Sequence, residues 1–372
     1  TTTIMTALGV ALTVAVLLAI LAMVDGLNHA FATTGDPLNV LVVRRSAQSE
    51  TTSNFTRVQY ADIKFKPGIA KTAAGEPMVS LEVVNVITLS APGNEGGQNI
   101  MLRGVTPAGF ALRQGLNIVE GRWFTPGRRE VVVGKGLTGR YPAARVGGIL
   151  EFGRGKWTVV GVMAQGNSAI NSEVWGDVNQ MAADFDRSDV LSSALVRSTD
   201  DAAVQSLISD LKNDQRLNVD AMTEKSYYAA QTVAAIPLQA VGTLVAIIMA
   251  IGSAFAAMNT MYAAVARRSR EIGTLRVLGF SKSGILVSFF LESLLLSLLG
   301  GILGVLLVLP LNNIQTGIGS FTTFTEIAFQ FRITPQIMAT GLAFGLIMGA
   351  LGGIFPAASA ARKEILTALR EF

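Results

Sequence analysis

The fold is decided by the stretch ILVSFFLESLLLSLLGGILGVLLVLPL, residues 285–311, in which Glu292 is the one charged residue. A helix needs about 20 largely apolar residues to cross the hydrocarbon core of a bilayer, because each residue adds only about 1.5 Å of length. The stretch is long enough, so it predicts a membrane-spanning helix.

Three further segments meet the same criterion. They lie at 1–24, 233–266 and 335–361, and the last begins at Pro335, a residue that suits the first turn of a helix. Only 15% of the chain is charged, against about 25% in a typical soluble domain. The sequence therefore predicts a membrane protein with four transmembrane helices.

A cleaved signal peptide is the alternative for the segment 1–24. Ala30-Phe31-Ala32 follows the apolar run and resembles a small-residue cleavage site. However, no basic residue precedes the run, and the run is longer than the apolar core of a typical signal peptide. We therefore expect a retained helix.

The distribution of basic residues predicts the orientation, because they mark the cytoplasmic side. The segment 267–284 carries five basic residues against one acid, whereas 312–334 carries only Arg332 and Glu326. The tail 362–372 is also basic, with Arg362, Lys363 and Arg370. We expect 267–284 and both termini in the cytoplasm, and 25–232 and 312–334 on the outer face.

The segment 25–232 has the pattern of an extracytoplasmic α+β domain. Runs rich in Val and Ile predict strands at 39–44, 78–89, 99–105, 130–134, 149–152, 156–164, 193–197 and 217–222. A helix is predicted over 200–213, where Thr199 or Asp200 can cap its start. We expect two lobes, with a β-rich lobe inserted at about 93–188.

The last 130 or so residues resemble a known family. The segment 258–284 reads MNTMYAAVARRSREIGTLRVLGFSKSG, and the likeness continues through FFLESLLLSLLGGILG and the closing FPAASAARKEILTALR. The motifs LRGVTP, VEGRWFTPGRREVVVGKGL and EVWGDVNQM carry a second likeness in the middle domain. The chain resembles the MacB/FtsX-type permeases of ABC transporters, with a MacB-like periplasmic core domain.

The resemblance implies a function and a set of partners. Such a permease pairs with a second permease copy, as a homo- or heterodimer, and with two cytosolic ABC ATPase subunits that bind ATP and Mg. It transmits ATP hydrolysis to the periplasmic domain (mechanotransmission), which drives export, efflux or extraction of a substrate at the outer face of a bacterial inner membrane. A periplasmic adaptor or an outer-membrane channel would fit efflux. The alternative is a regulatory complex that controls a cell-wall hydrolase.

The resemblance assigns ATPase coupling to the cytoplasmic loop. Its residues are Arg267, Arg268, Arg270, Glu271, Ile272, Gly273, Leu275, Arg276, Leu278 and Gly279. The spacing of Ile272, Leu275 and Leu278 predicts one apolar stripe beside the arginines. The residues alone leave open a plain basic loop that only sets orientation.

Small residues in the last two membrane helices predict close helix packing, within one chain or between two. They are Gly300, Gly301, Gly304, Gly341, Gly345, Gly349 and Gly353. Glu292 lies in an apolar helix, where an unpaired carboxylate is costly. We expect it to face other helices or to lie near the headgroups, with a hydrogen bond to a serine or a role in helix packing. A role in proton or substrate transfer is the alternative.

Side chains that usually carry catalysis or bind metals are scarce. The chain has no cysteine and one histidine, His29, which we place just beyond the first helix. Gly134-Lys135-Gly136 lacks the spacing of a phosphate-binding loop and fits a tight turn after a strand. No basic stripe with interleaved aromatics suggests nucleic acid. We expect no enzyme activity, although a membrane-anchored enzyme with a carboxylate-only site in 25–232 is the weakest alternative.

Overall fold

A computed structural model describes residues 2–91, 94–232, 236–320 and 323–362. The chain divides into two compact units. The membrane unit comprises Thr1–Asp25, Ile236–Ile314 and Phe331–Phe372, and the sheet unit comprises Gly26–Ala235 and Gln315–Gln330. The predictions for Lys363 and Arg370 of the basic tail fall outside the described residues.

The helices and strands are numbered in chain order. The helices are α1 Thr2–Ala32, α2 Arg57–Lys64, α3 Ala108–Leu112, α4 Lys135–Thr138, α5 Val178–Asp184, α6 Asp201–Asn213, α7 Glu224–Gln231, α8 Ile236–Arg267, α9 Ser269–Val277, α10 Lys282–Val308 and α11 Pro335–Arg362. The strands are β1 Asn39–Arg44, β2 Phe55–Thr56, β3 Val79–Ala91, β4 Asn94–Val105, β5 Asn117–Gly121, β6 Glu130–Gly134, β7 Ile149–Phe152, β8 Gly155–Ala164, β9 Glu173–Asp177, β10 Val190–Leu191, β11 Ser193–Arg197, β12 Val219–Thr223, β13 Gln315–Gly319 and β14 Glu326–Gln330.

Four helices among the described residues, α1, α8, α10 and α11, are long and apolar enough to span a bilayer. In the membrane unit, Val14 and Leu18 of α1 pack with Val308, Ile337 and neighbouring apolar residues. Four transmembrane helices are therefore present, as the sequence predicts.

The first helix is longer than predicted. Asp25 and Gly26 do not end it, and α1 continues to Ala32, so that His29 lies in its last turn and not beyond it. Gly26 lies directly against the backbone carbonyl of Gln330, where a Cβ atom would collide. Glycine at this position lets the Gln330 backbone approach the helix closely, and the helix continues where the sequence suggested a stop.

The sheet unit is built on one ten-stranded mixed sheet. The strand order is β12-β1-β11-β3-β4-β9-β6-β8-β5, with β7 paired to β8. β4–β9 and β6–β8 are parallel, and the other pairs of this sheet are antiparallel. An α+β domain after the first helix is thus confirmed.

Separate hydrophobic cores lie along this sheet. One contains Val40, Val83 and Val196 together with Leu207 of α6, which Asp200 caps as expected. Another contains Val131, Trp157 and their neighbours. The sheet itself is continuous, so the lobe boundaries near 93 and 188 stay a prediction.

The connection between α10 and α11 also contributes to the sheet unit. β13 and β14 form an antiparallel hairpin within the predicted loop 312–334. Ala328 of β14 donates its backbone N–H to Ser172 Oγ at 2.5 Å, and Tyr141 and Arg140 both contact the Glu326 carboxylate. The hairpin is therefore a packed part of the unit, which the sequence did not predict.

Candidate functional site: a basic helix between two membrane helices

The predicted coupling segment folds as a short helix, α9, that is fastened to the membrane unit. Ile272 is only 2% exposed and packs with Met261 and Val265 of α8 and with Ile285 and Phe289 of α10. Gly273 is buried as well. Because one side of α9 is buried between two helices, it cannot shift without disturbing both.

Apolar side chains are exposed on α9 and in the turn after it. Leu275 and Leu278 are exposed, the latter at 71%, and so are Val277 and Phe280. Ile272 is buried and the two leucines are exposed, so neighbouring helices cover the predicted stripe only in part, and its role in ATPase docking stays a prediction. The sequence analysis missed Val277 and Phe280, although both are apolar residues directly beside the stripe.

A turn after α9 holds part of this surface in place. Gly279 has a φ of +94°, a conformation that side chains rarely tolerate, so glycine suits this position. Phe280 donates its N–H to the Leu275 carbonyl at 3.0 Å, and its own carbonyl accepts from Arg276 Nη1 at 3.1 Å. Arg276 therefore positions the turn as well as carrying charge.

Glu292 of α10 has a different partner from the one expected. Its carboxylate accepts hydrogen bonds from Arg268 Nη1 at 3.0 and 3.3 Å. The carboxylate is about one-third exposed. An ion pair in place of a serine contact thus joins the residue just before α9 to the third membrane helix.

Glycines of α10 allow α1 to approach closely. A Cβ atom at Gly300 would lie 2.8 Å from the Ala7 carbonyl oxygen, and one at Gly304 would lie 2.7 Å from the Ala11 carbonyl oxygen. Real Cβ atoms do not approach this closely, so larger residues would separate the helices.

The glycine stripe of α11 also allows neighbouring helices to approach closely. A Cβ atom would meet Leu18 of α1 at Gly341, Ser297 of α10 at Gly349 and Ser293 at Gly353. Gly301 and Gly345 also face neighbouring helices. Ser293 donates to the Gly349 carbonyl at 2.7 Å. These contacts lie within one chain, and packing between two chains through the same glycines stays a prediction.

The sheet unit holds a buried charge cluster that the sequence analysis missed. Arg103 is 1% exposed and donates hydrogen bonds to the carboxylates of Glu50, Glu82 and Glu173 at 2.6–3.1 Å. Burial alone would lower the pKa of Arg103, but the three carboxylates raise it well above its usual value. The guanidinium therefore stays charged.

Arg113 extends the cluster. It donates to both oxygens of Glu82 at 2.7 and 2.9 Å and lies over the Trp175 ring. Burial would raise the pKa of Glu82, yet Arg113 and Arg103 hold it below its usual value. Glu224, the first residue of α7, lies on the other side of Arg113 at 3.5 Å.

The described residues contain no group of three or more His, Cys, Asp or Glu side chains that could hold a metal ion. Gly134 ends β6 and precedes α4, a four-residue helix, where the sequence suggested a tight turn. Trp157 and Trp175 are fully buried in the cores of the sheet unit.

Known families match both parts of the chain. The family described as MacB-like periplasmic core domain matches residues 3–214, and the family described as FtsX-like permease C-terminal matches residues 243–365. The first match alone covers more than half of the 372 residues.

Curated relatives agree with these matches. The uncharacterized ABC transporter permease YknZ of Bacillus subtilis is 29% identical over 226 residues, which are 57% of this chain and 53% of that protein. The macrolide export ATP-binding/permease protein MacB of Photorhabdus laumondii is 28% identical over 302 residues, 74% of this chain and 42% of that protein. The chain thus spans about half the length of the relatives it matches.

One solved structure is the extracellular domain of YknZ, with 19% identity and a TM-score of 0.37 over 50% of this chain and all of that one. The two family matches name a periplasmic core domain and a permease C-terminal region. The chain belongs to the MacB/FtsX-type family of ABC transporter permeases.

Proposed function

We propose that this permease binds a separate cytosolic ABC ATPase through α9 and transmits its ATP-driven movements to the periplasmic sheet unit. The observation that carries the proposal is the two-sided character of α9. Ile272 anchors the helix between α8 and α10, while Leu275, Val277, Leu278 and Phe280 are exposed beside arginines. An exposed apolar patch with a basic rim suits a protein partner better than water.

The orientation follows from the same segment. Basic residues in short loops favour the cytoplasmic side, so α9 and both termini lie in the cytoplasm and the sheet unit lies in the periplasm. ATP and Mg are bound by the ATPase partner. Two permease copies, identical or different, assemble with two ATPase subunits.

The output of the complex is export, efflux or extraction of a substrate at the outer face of the inner membrane. The family match supports this class of function. MacB of Photorhabdus laumondii is described as a macrolide exporter, and an adaptor or outer-membrane channel would complete an efflux route.

A binding experiment tests the proposal. The tagged chain is purified from its own cells, and the co-purifying ABC ATPase is identified and quantified by mass spectrometry. Leu275→Asp with Leu278→Asp places two charges in the apolar patch and should remove at least nine-tenths of the ATPase. Val119→Asp is the matched control, because Val119 is an equally exposed apolar residue of the sheet unit.

Retention of the ATPase by the double variant at the wild-type ratio would contradict docking through α9. Loss of the ATPase by Val119→Asp as well would show that the substitutions act through misfolding. The comparison therefore distinguishes loss of docking from misfolding.

A further inference from the structure

One carboxyl group of the buried charge cluster has surroundings unlike those of the other three. Glu50, Glu82 and Glu173 each accept hydrogen bonds from an arginine on both carboxylate oxygens. Glu224 accepts hydrogen bonds only from neutral groups, and only on one oxygen. It is therefore the least stabilised carboxylate of the cluster.

The contacts of Glu224 define this difference. Its Oε2 accepts from Asn39 Nδ2 at 2.8 Å and from the backbone N–H of Asp36 at 3.1 Å. Its Oε1 has no hydrogen-bond partner among the described residues. The nearest cation, Arg113 Nε, is 3.5 Å away and also lacks a hydrogen bond. The Nη atoms of Arg113 are already bonded to Glu82.

The charge balance of the cluster points in the same direction. Four glutamates, Glu50, Glu82, Glu173 and Glu224, share two arginines, Arg103 and Arg113. All six side chains are buried. An uncompensated buried charge is so costly that the group usually changes its protonation state. The group with the poorest set of donors is the one that should take up a proton.

Other charged groups near Glu224 do not compensate the excess negative charge of the cluster. Asp36 is paired with Arg197 at 2.7 Å, and Glu82 and the phenol of Tyr228 add no positive charge. Burial raises the pKa of Glu224, and the opposing effects of Arg113, Asn39 and the Asp36 N–H are smaller. A cavity of about 520 Å³, lined by Glu224, Arg113, Asp36 and His29 among others, brings solvent to this end of the cluster.

We propose that Glu224 is a proton-binding site of the sheet unit that keeps its proton at a higher pH than an exposed carboxyl group does. Proton uptake removes one uncompensated buried charge. Because Glu224 begins α7, the last helix before α8, protonation strengthens the attachment of α7 to the sheet. The site does not depend on an ATPase partner, so it can be tested on the isolated chain.

The sign of the pH effect follows from linkage. A carboxyl group that binds its proton more tightly in the folded state contributes full stability below the unfolded pKa, near 4.5, and loses it as the pH rises through the folded pKa. Glu224→Gln mimics the protonated state. It should therefore melt several degrees above the wild type at about pH 7.5, and the gap should close towards about pH 5.

Thermal melting followed by tryptophan fluorescence is the measurement. All three tryptophans, Trp123, Trp157 and Trp175, lie in the sheet unit, so the signal reports that unit in the full chain in detergent. Glu76→Gln is the matched control, because Glu76 is exposed, and its melting should follow the wild type at every pH. A Glu224→Gln variant that melts below the wild type throughout would overturn the proposal, since Glu224 would then act as an ionised partner of Arg113.

Infrared spectroscopy covers the case in which Glu224→Gln fails to fold. As the pH is lowered, the wild type should gain the carbonyl band of a protonated, buried carboxylic acid before the exposed carboxyl groups take up protons. Glu224→Asp should shift or remove this band. Absence of the band from the wild type would contradict the proposal.

Discussion

Arg268, the residue just before α9, is joined to Glu292 of α10 by an ion pair of 3.0 Å. The pair links the segment that we propose as the ATPase-binding surface to the third membrane helix. It acts beside the buried contact of Ile272, so the start and the middle of α9 are both fixed. A surface held in this way can pass a movement to the helices as a unit.

Breaking this ion pair should affect coupling more than stability. Both side chains are partly exposed, so Glu292→Gln should cost less than about 1 kcal/mol. We expect the rate of ATP hydrolysis by the assembled complex to depend less on the permease, because the start of α9 loses its anchor. Exchanging the charges, with Arg268→Glu and Glu292→Arg, should restore most of the response. Unchanged hydrolysis in Glu292→Gln would show that the pair does not orient α9.

Glycine substitutions should separate packed from open positions in the membrane unit. A side chain at Gly349 collides with Ser297, whereas nothing lies within 4 Å of a Cβ atom at Gly252. Gly349→Val should therefore destabilise the detergent-solubilised chain by about 1–3 kcal/mol, and Gly252→Val should have little effect. Thermal melting followed by far-UV circular dichroism measures both. Equal melting of the two variants would contradict the packing of α10 against α11.

The β13–β14 hairpin should depend on Ser172. The Ser172 hydroxyl oxygen is buried and accepts the Ala328 N–H at 2.5 Å. Ser172→Ala leaves that N–H without a partner, which should cost about 1–3 kcal/mol. Ser206→Ala, at an exposed position of α6, is the control. Hydrogen exchange at the Ala328 amide should rise in the first variant only.

Acid should destabilise the sheet unit by protonating Glu130. This effect on stability is opposite in sign to the one proposed for Glu224. Its hydrogen bonds with Arg122 lower the pKa of Glu130 from 4.5 to about 2, outweighing its partial burial. The stability from this pair is thus present above pH 4.5 and is lost as the pH falls towards about 2. The acid-induced fall in melting temperature across this window should be smaller in Glu130→Gln. An identical fall in both proteins would exclude a contribution from the pair.

Local patterns in the sequence predict much of the fold. Strands β1, β6, β7 and β11 lie where runs of Val and Ile indicate them, and Asp200 caps α6. These features depend on residues that are close together in the sequence, so local patterns reveal them. The four apolar helices are predictable for the same reason, since membrane length sets a simple requirement.

The features that the sequence analysis missed depend on distant residues. Arg103 meets Glu173 across 70 positions and Glu50 across 53, so no local motif reveals the buried cluster. In α9, spacing shows which residues share a face but not which of them a neighbouring helix covers. Ile272 is covered by α8 and α10, and Leu278 is not.

We propose that α9 lies in the cytoplasm while the sheet unit lies outside. The chain has no cysteine, so single introduced thiols can be labelled specifically. Leu278→Cys and Ile149→Cys place thiols at exposed positions of α9 and of the sheet unit. In intact spheroplasts, a membrane-impermeant maleimide should label Ile149→Cys at once and Leu278→Cys only after permeabilisation. Labelling of Leu278→Cys without permeabilisation, with Ile149→Cys protected, would contradict the account.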